Sequence, residues 1–248
     1  MNQIVQLLFS RKSTRDFLDK PIANPDKDLI VDAAIQAPSA GNQVLYTILE
    51  IDDQRIKQEL SELCDNQPFI AKAPYVLIFL ADCRKWLDCY HYAGIEARKP
   101  ELGDMLLACE DAAIAAQNAV IAAESLGIGS CYIGDILENK EKMGRLLDLD
   151  NYVLPISMLV FGYPTERQKN RIKPKRFSRK FIVQKNTYKK MSEDELRNMF
   201  EDVHVEEGFS FDEYIKAFCV RKYMSGFSRE MNRSTYEYLK TYIKTEWK

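Results

Sequence analysis

The sequence predicts a mixed helix–strand domain followed by a helical extension, and three observations carry that reading. Runs at residues 45–51, 75–81, 130–133 and 154–161 have the length, apolar content and β-branched or aromatic character of strands. Between them lie stretches with helix-capping residues in front and turn residues behind. One of these, residues 101–126, is so rich in alanine that little side-chain bulk remains on any face. Periodicity alone leaves two architectures open, a helix-wrapped antiparallel sheet and a doubly wound parallel one.

Taken in order, Asn24 then Pro25 reads as a helix start, a cap oxygen followed by a pre-set φ. That helix carries Leu29, Ile30, Ala33 and Ala34 and stops before Pro38. Asp53 is placed to cap the next helix, whose apolar face holds Ile56, Leu60 and Leu63. The strand at 75–81 is almost continuously apolar, so burial on both faces is expected. The alanine-rich helix ends at Gly127, a left-handed cap. Its small residues let neighbours approach closely, which places it at the centre of the fold or in a subunit interface. A helix around 138–147 separates the last two strands.

After Gly162-Tyr163-Pro164 the character changes, and residues 166–190 are strongly basic. Ser192 with Glu195 and Ser210 with Glu213 then have capping-box spacing. The second opens an amphipathic helix bearing Phe211, Tyr214, Ile215 and Phe218, and an aromatic, basic tail follows over 236–248. The expected division is a domain at 1–190 and a helical extension at 191–248, packed on the same domain or on a partner subunit.

Charged residues make up 29% of the chain and nearly cancel, leaving a formal net charge of -2. That balance argues against a generic nucleic-acid binder, which needs a basic surface field. The stretch at 105–126 is interrupted by Glu110, Asp111, Gln117, Asn118 and Glu124, so a soluble helix is expected rather than a membrane span. No secretory leader is visible after Met1. Six cysteines without a C-x-x-C pair, and only two histidines, give no zinc site of standard spacing. A reduced, cytoplasmic protein without a metal is the expectation.

Four segments stand out chemically. Arg11, Lys12, Ser13, Thr14 and Arg15 concentrate cations and hydroxyls within five residues, a composition that suits a phosphate. Residues 37–42, including Ser39, form a Pro/Ser/Gly/Asn loop between helix and strand. Residues 126–135 run from a helix end through a strand into a glycine turn, exposing backbone N–H groups near Tyr132, Ile133, Gly134 and Asp135. The fourth is Lys173-Pro174-Lys175-Arg176 in the basic loop. Each alone also describes an ordinary turn or a solvated basic loop.

Their order and spacing together resemble the nitroreductase superfamily. The resemblance runs through R-x-S-x-R-x-F at 11–17, A-P-S-x-x-N at 37–42, A-A-E-S-L-G-I-G at 122–129 and Tyr132-Ile133-Gly134. The element at 173–176 is similar to the branch of flavin reductases and oxygen-insensitive nitroreductases that often prefers NADPH. It covers roughly residues 4 to 190, and more loosely the tail, where Glu230-Met231-Asn232-Arg233-Ser234 is similar.

The resemblance implies an α+β fold with a central, mainly antiparallel sheet surrounded by helices, and a homodimer with FMN at the interface. It implies NAD(P)H as co-substrate, a ping-pong mechanism, and a small acceptor such as a nitroaromatic, a quinone or a flavin. Arg11, Ser13, Ser39, Lys173 and Lys175 would hold the phosphate and nearby ribityl, with Lys12 and Thr14 in the same loop. Arg15 and Gln67 would face the pyrimidine edge, and the backbone of Tyr132 to Asp135 the N5 side. Lys175 stands where arginine is common in the branch, and Asp135 where a second glycine is common. No dedicated catalytic side chain is expected, because the flavin carries the chemistry and the protein positions it. Other readings are a flavin-sequestering protein with little turnover, and a same-fold enzyme of different chemistry such as dehalogenation or flavin fragmentation.

Overall fold

The computed structural model describes residues 1–206 and 208–243; Glu207 and the last five residues of the expected tail lie outside the described residues. The chain divides into two compact units, one of Met1–Arg171 with the chain from Glu230 onward, the other Ile172–Arg229.

The first unit contains α1 (Gln3–Ser10), α2 (Asn24–Ile35), β1 (Tyr46–Glu50), α3 (Gln54–Leu63), α4 (Pro68–Ala71), β2 (Tyr75–Asp82), α5 (Arg84–Tyr92) and α6 (Leu102–Ser125). β3 (Gly129–Ile133), α7 (Lys140–Leu146), β4 (Val153–Gly162) and α8 (Glu166–Lys169) follow. The sheet order is β1-β2-β4-β3 and every pairing is antiparallel. This resolves the choice that periodicity left open in favour of α+β.

All eight residues of β2 are buried, and the strand period of two sends them to opposite layers. Tyr75, Leu77 and Phe79 join Leu159 and Phe161 of β4 against α6 alanines 112, 115, 116, 119 and 123. Val76, Ile78 and Leu80 join Met158, Val160 and Cys131 against Leu60, Ile70, Ile136 and Met143. A sheet covered on both faces explains why its central strand reads as a continuous apolar run. The alanine face lets α6 lie close to the sheet, while Ile30 and Ala34 of α2 pack on the same cluster. Gly127, at φ +72°, ends this helix as expected.

Several local expectations need correction. Asn24 is the first residue of α2 rather than its cap; Ala23 stands at the cap position and offers no side-chain acceptor. The helix expected around 138–147 is shorter, because Glu138 is extended and Asn139 is left-handed, so that α7 starts only at Lys140. Asp53 does cap α3, accepting from the N–H groups of Arg55 and Ile56.

In the second unit, α9 (Arg179–Ile182), α10 (Glu193–Glu201) and α11 (Phe211–Phe218) surround a cluster of rings. Phe200 lies 5.2 to 5.8 Å from Phe177, Phe211 and Tyr214, and His204 stacks on Phe209 at 4.5 Å. Ser192 and Glu195 form the reciprocal capping box. Ser210 makes only the forward half, accepting from Glu213 N–H. The last helix, α12 (Gly226–Leu239), begins in this unit and ends in the first, where Tyr238 and Tyr242 are buried beside Cys83, Met105 and Ala108.

One structural detail sets up the site. Gly129 and Gly162 face each other across β3 and β4. A Cβ on Gly129 would lie 2.8 Å from Thr14 Cβ and closer still to its Oγ1; one on Gly162 would lie 2.6 Å from Phe17 Cδ1. The paired glycines leave the space in which residues 14–17 lie flat on the sheet. Gly129→Ala should therefore destabilise the protein by about 1–3 kcal/mol, as overpacking does, lowering the melting temperature by roughly 2–10 °C. Gly144, inside α7 with open space around it, is the control: Gly144→Ala should hold or raise the melting temperature. Equal melting of Gly129→Ala and wild type would show that the close approach is not required.

Candidate functional site

The site starts with the loop after α1. Arg11 closes that helix, donating its backbone N–H to Leu7 O at 2.9 Å. Thr14 N–H then donates to Ser130 O at 2.9 Å, Leu18 N–H to Tyr163 O at 2.8 Å, and Phe17 bridges to Pro164. Gln168 holds the opposite edge: its Nε2 donates to Ser13 O at 3.0 Å and its Oε1 accepts from Arg15 N–H at 3.3 Å. Asp16 accepts from Thr165 Oγ1 at 2.8 Å and pairs with Arg167 at 2.9 Å, and these partners, Thr165 first, hold its carboxyl below the ordinary range. Lys12 Nζ donates to the carbonyls of Lys169 and Arg171. Lys12 and the buried Thr14 thus fix the loop in place.

What the fixed loop presents is Arg11, Ser13 and Arg15, gathered around Cys131 and Tyr132. All three act on the Cys131 thiol, which burial nevertheless pushes up. Burial likewise pushes the Tyr132 phenol up to about 12, with Arg11 opposing; its Oη donates to Gln117 Oε1 at 3.2 Å. Arg11 Nε and Nη2 are buried without a hydrogen-bond partner. No carboxylate among the described residues forms an ion pair with Arg11 or Arg15. Buried donors left unmet on a half-buried guanidinium are costly unless an acceptor meets them, and the planar fork of arginine matches a phosphate. The residues present fit such a group.

Arg15 lies over the ring of Phe69 in α4, 6.0 Å from its centre, and Gln67 stands at the cap position of the same short helix. Gln67 Nε2 donates to Asp135 Oδ2 at 2.9 Å and to Cys64 O at 2.8 Å. The carboxylate that replaces the common glycine is therefore engaged by Gln67. Nothing lies within 4 Å of a Cβ built on Gly134, so a flat ligand has room to meet the backbone there.

The turn at 134–139 is held from behind by α12. Glu230 accepts from Asn139 N–H at 3.1 Å, and Ser234 Oγ accepts from Lys140 N–H at 2.9 Å while donating to Leu137 O. Arg233 grips Glu141 through two bonds of 3.0 Å and also binds Glu230. The Glu-Met-Asn-Arg-Ser segment thus clamps the turn, a role its sequence does not announce. Inside this clamp Glu138 is only 5% exposed, and burial, then Asp135, Asp65 and Glu230, pushes its carboxyl up to about 7.

Ser39 lies elsewhere in the first unit, and no contact in the described residues joins it to Arg11. Its Oγ accepts from Val44 N–H at 3.0 Å. The loop around it contains left-handed residues at Gly41, Asn42 and Val44, the last unfavourable for a β-branched side chain. Asp111, 3% exposed in α6, holds the loop by accepting from Ala40 N–H at 2.9 Å and Leu45 N–H at 3.1 Å. Sequence reasoning treated Asp111 only as an interruption; a carboxylate among alanines on a buried face was the available signal. Lys173 and Lys175 belong to the second unit.

Glu138 generates a pH prediction. Its carboxyl titrates higher in the fold than its ordinary value of 4.5, so ionisation opposes folding. Stability from this group is greatest below pH 4.5, falls as pH rises to about 7, and is level above. Glu138→Gln should match wild type near pH 4.5 and exceed it at pH 8 by up to about 3 kcal/mol in urea unfolding. A stability difference that does not change with pH would contradict this.

Comparison with known proteins agrees with this geometry. Residues 8–163 match the nitroreductase family. The chain is 35% identical over 199 residues to an FMN reductase [NAD(P)H] of Bacillus subtilis, covering 79% of this chain and 78% of the relative. It is 32% identical over 193 residues to an oxygen-insensitive NADPH nitroreductase of Salmonella typhimurium, covering 78% of each. The solved structure of B. megaterium NfrA2 superposes with a TM-score of 0.82 at 26% identity, over 100% of both chains. NADPH:FMN oxidoreductase from Vibrio harveyi shares the fold at a TM-score of 0.81 and 20% identity, over 96% of this chain and 98% of that one. With its loop, its glycine pair and its unpaired arginine in the matched region, this chain belongs to the nitroreductase family.

Proposed function

We propose that this protein is an FMN-dependent NAD(P)H oxidoreductase that passes reducing equivalents to a nitroaromatic, a quinone or a flavin by a ping-pong mechanism. The observation that carries the reading is the half-buried Arg11, whose Nε and Nη2 are buried without a partner in a loop fixed on three sides. Relatives named FMN reductase and NADPH nitroreductase support the choice of ligand.

When bound, FMN supplies the hydride-accepting and hydride-donating chemistry. The chain's own residues bind and tune it. Arg11 and Ser13 hold the phosphate, and Lys173 and Lys175 are assigned to it on the family resemblance. Arg15 places positive charge at the pyrimidine edge, favouring the reduced cofactor. Gln67 restrains Asp135 and would hold the pyrimidine part of the cofactor with Arg15, while the backbone N–H groups of Tyr132 to Asp135 would supply donors to the ring. Ser39, fixed by Asp111, contributes from its own loop. No side chain needs to act as a catalytic acid or base.

The working unit is proposed to be a homodimer, in keeping with the exposed apolar side chains Ile4 of α1 and Leu106, Leu107 and Ile114 of α6. All six cysteines are free thiols, which fits the reducing cytoplasm. α6 is the one described helix long and apolar enough to cross a bilayer, but its alanine face is the centre of the domain.

Anaerobic mixing of the purified, yellow protein with NADPH or NADH tests the function. Bleaching of the flavin absorbance within seconds, and its return on adding a quinone, is expected; Arg15→Ala should lower the midpoint potential. A protein that binds FMN but is bleached by neither nicotinamide would be a sequestering protein instead.

A further inference from the structure

A cavity of about 250 Å³ opens at the end of the sheet far from the Arg11 loop. It is lined by Leu45 and Cys83, by Trp86, Leu87 and Tyr90 of α5, by Asp104 and Leu107 of α6, and by Ala97, Arg98 and Pro100 between the two helices. Thr14 and Phe17 lie at the Tyr75 end of β2, whose first residue pairs with Phe161, next to Gly162. Cys83 directly follows the other end of the same eight-residue strand. At strand rise, the two places are about 25 Å apart within one unit. The cavity is therefore a separate place from the anion cradle of the same chain.

We propose that this cavity is a second small-molecule site, which takes one neutral, planar aromatic ring with small substituents. Size sets the first limit. A dry cavity of about 150 Å³ holds benzene, and drug-sized ligands need about 300–1,000 Å³. At about 250 Å³ the space suits a single substituted ring and is too small for an isoalloxazine or a dinucleotide.

The walls set the second limit. Trp86 and Tyr90 stand with ring centres 5.9 Å apart and planes tilted by 42°, so an entering ring meets aromatic faces or edges among the apolar side chains of Leu45, Leu87 and Leu107. The indole is locked, because Trp86 Nε1 donates to Gln43 O at 2.8 Å. That bond makes the wall a preformed surface and removes the indole N–H as a donor for the ligand.

Charge sets the third. Arg98 is the only cation in the lining and Asp104 the only carboxylate, and they bind each other through two nitrogens, one bond at 2.9 Å. Asp104 also accepts from Glu101 N–H at 2.8 Å, closing the capping box of α6. An anionic ligand would have to compete with Asp104 for Arg98, and a cationic one with Arg98 for Asp104. The Cys83 thiol, pushed up to about 12 by burial, adds no charge. The cavity thus selects against ions by leaving none of its own unpaired.

The experiment uses 4-fluoroanisole as the neutral probe and 4-fluorobenzoate as the anionic one; both are redox-inert, so the result does not depend on flavin turnover. The chain has two tryptophans, and Trp247→Phe leaves Trp86 as the sole indole reporter. Titrated into FMN-loaded protein, 4-fluoroanisole should change Trp86 emission saturably, with one site per chain by fluorine NMR. The benzoate should bind at least tenfold more weakly. Ala97→Phe and Leu87→Phe, which fill the cavity from the segment between the two helices and from α5, should each weaken anisole binding at least tenfold while retaining FMN; should one fail to fold, the other decides. No saturable response, equal binding of both probes, or binding unchanged by the filling substitutions would overturn the proposal. So would anisole binding that appears only in FMN-free protein and is displaced by riboflavin, since the ring would then occupy the flavin site.

Discussion

The contact on which the rest depends is the seating of residues 14–17 on the paired glycines of β3 and β4. Removing two Cβ atoms at facing positions opens a shallow bed at the sheet end. Thr14 and Phe17 fill it, and backbone bonds to Ser130, Tyr163 and the Asp16–Thr165 pair lock it. Only because this short loop is immobilised can it hold Arg11 with two buried nitrogens unsatisfied. In a mobile loop the guanidinium would turn to water or to a carboxylate. On the proposed reading, an arriving phosphate would recover the stability lost to these two unmet donors, and the sheet geometry would be converted into affinity.

The same logic of holding from behind recurs at the other parts of the site. The turn that carries Gly134 and Asp135 is too short to be rigid alone, and α12 restrains it through Glu230, Arg233 and Ser234. The strained loop containing Ser39 is restrained by Asp111. In each case an irregular segment of the candidate site is fixed by a buried or partly buried polar group on a helix distant in sequence. The cavity beside Trp86 follows a related rule, since its charges are satisfied by each other and its surface is left to apolar contact.

Much of this was legible in the sequence. The central strand, the alanine helix, its glycine stop and the Asp53 cap are local patterns, and each has a local physical cause. The Arg11–Arg15 cluster was legible as a phosphate candidate because its residue types alone carry that chemistry. The antiparallel order needed the family resemblance, because a strand buried on both faces reads the same in a parallel sheet. The supports were not legible: Gln168, Asp111 and Ser234 act across 155, 71 and 94 residues of chain, respectively. Lys12 belongs by composition to the phosphate cluster, yet its ammonium is spent on carbonyls 157 and 159 residues away. Asp135 was legible only as a departure from the family's second glycine, because its partner Gln67 lies 68 residues away.

The central claim is that the loop's fixed geometry makes Arg11 a receptor for the cofactor's phosphate. It is tested most directly by titrating apo-protein and its Arg11→Ala variant with FMN and with riboflavin, which lacks the phosphate. A charge-assisted hydrogen bond contributes roughly 1.5–3 kcal/mol, so Arg11→Ala should weaken FMN about ten- to a hundredfold and leave riboflavin nearly unchanged. Lys173→Ala and Lys175→Ala, measured alongside, should show the same selectivity if they share the phosphate, with a deficit that shrinks as salt is raised. Equal weakening of both ligands by Arg11→Ala would mean that the arginine supports the loop rather than the phosphate, and would contradict the claim.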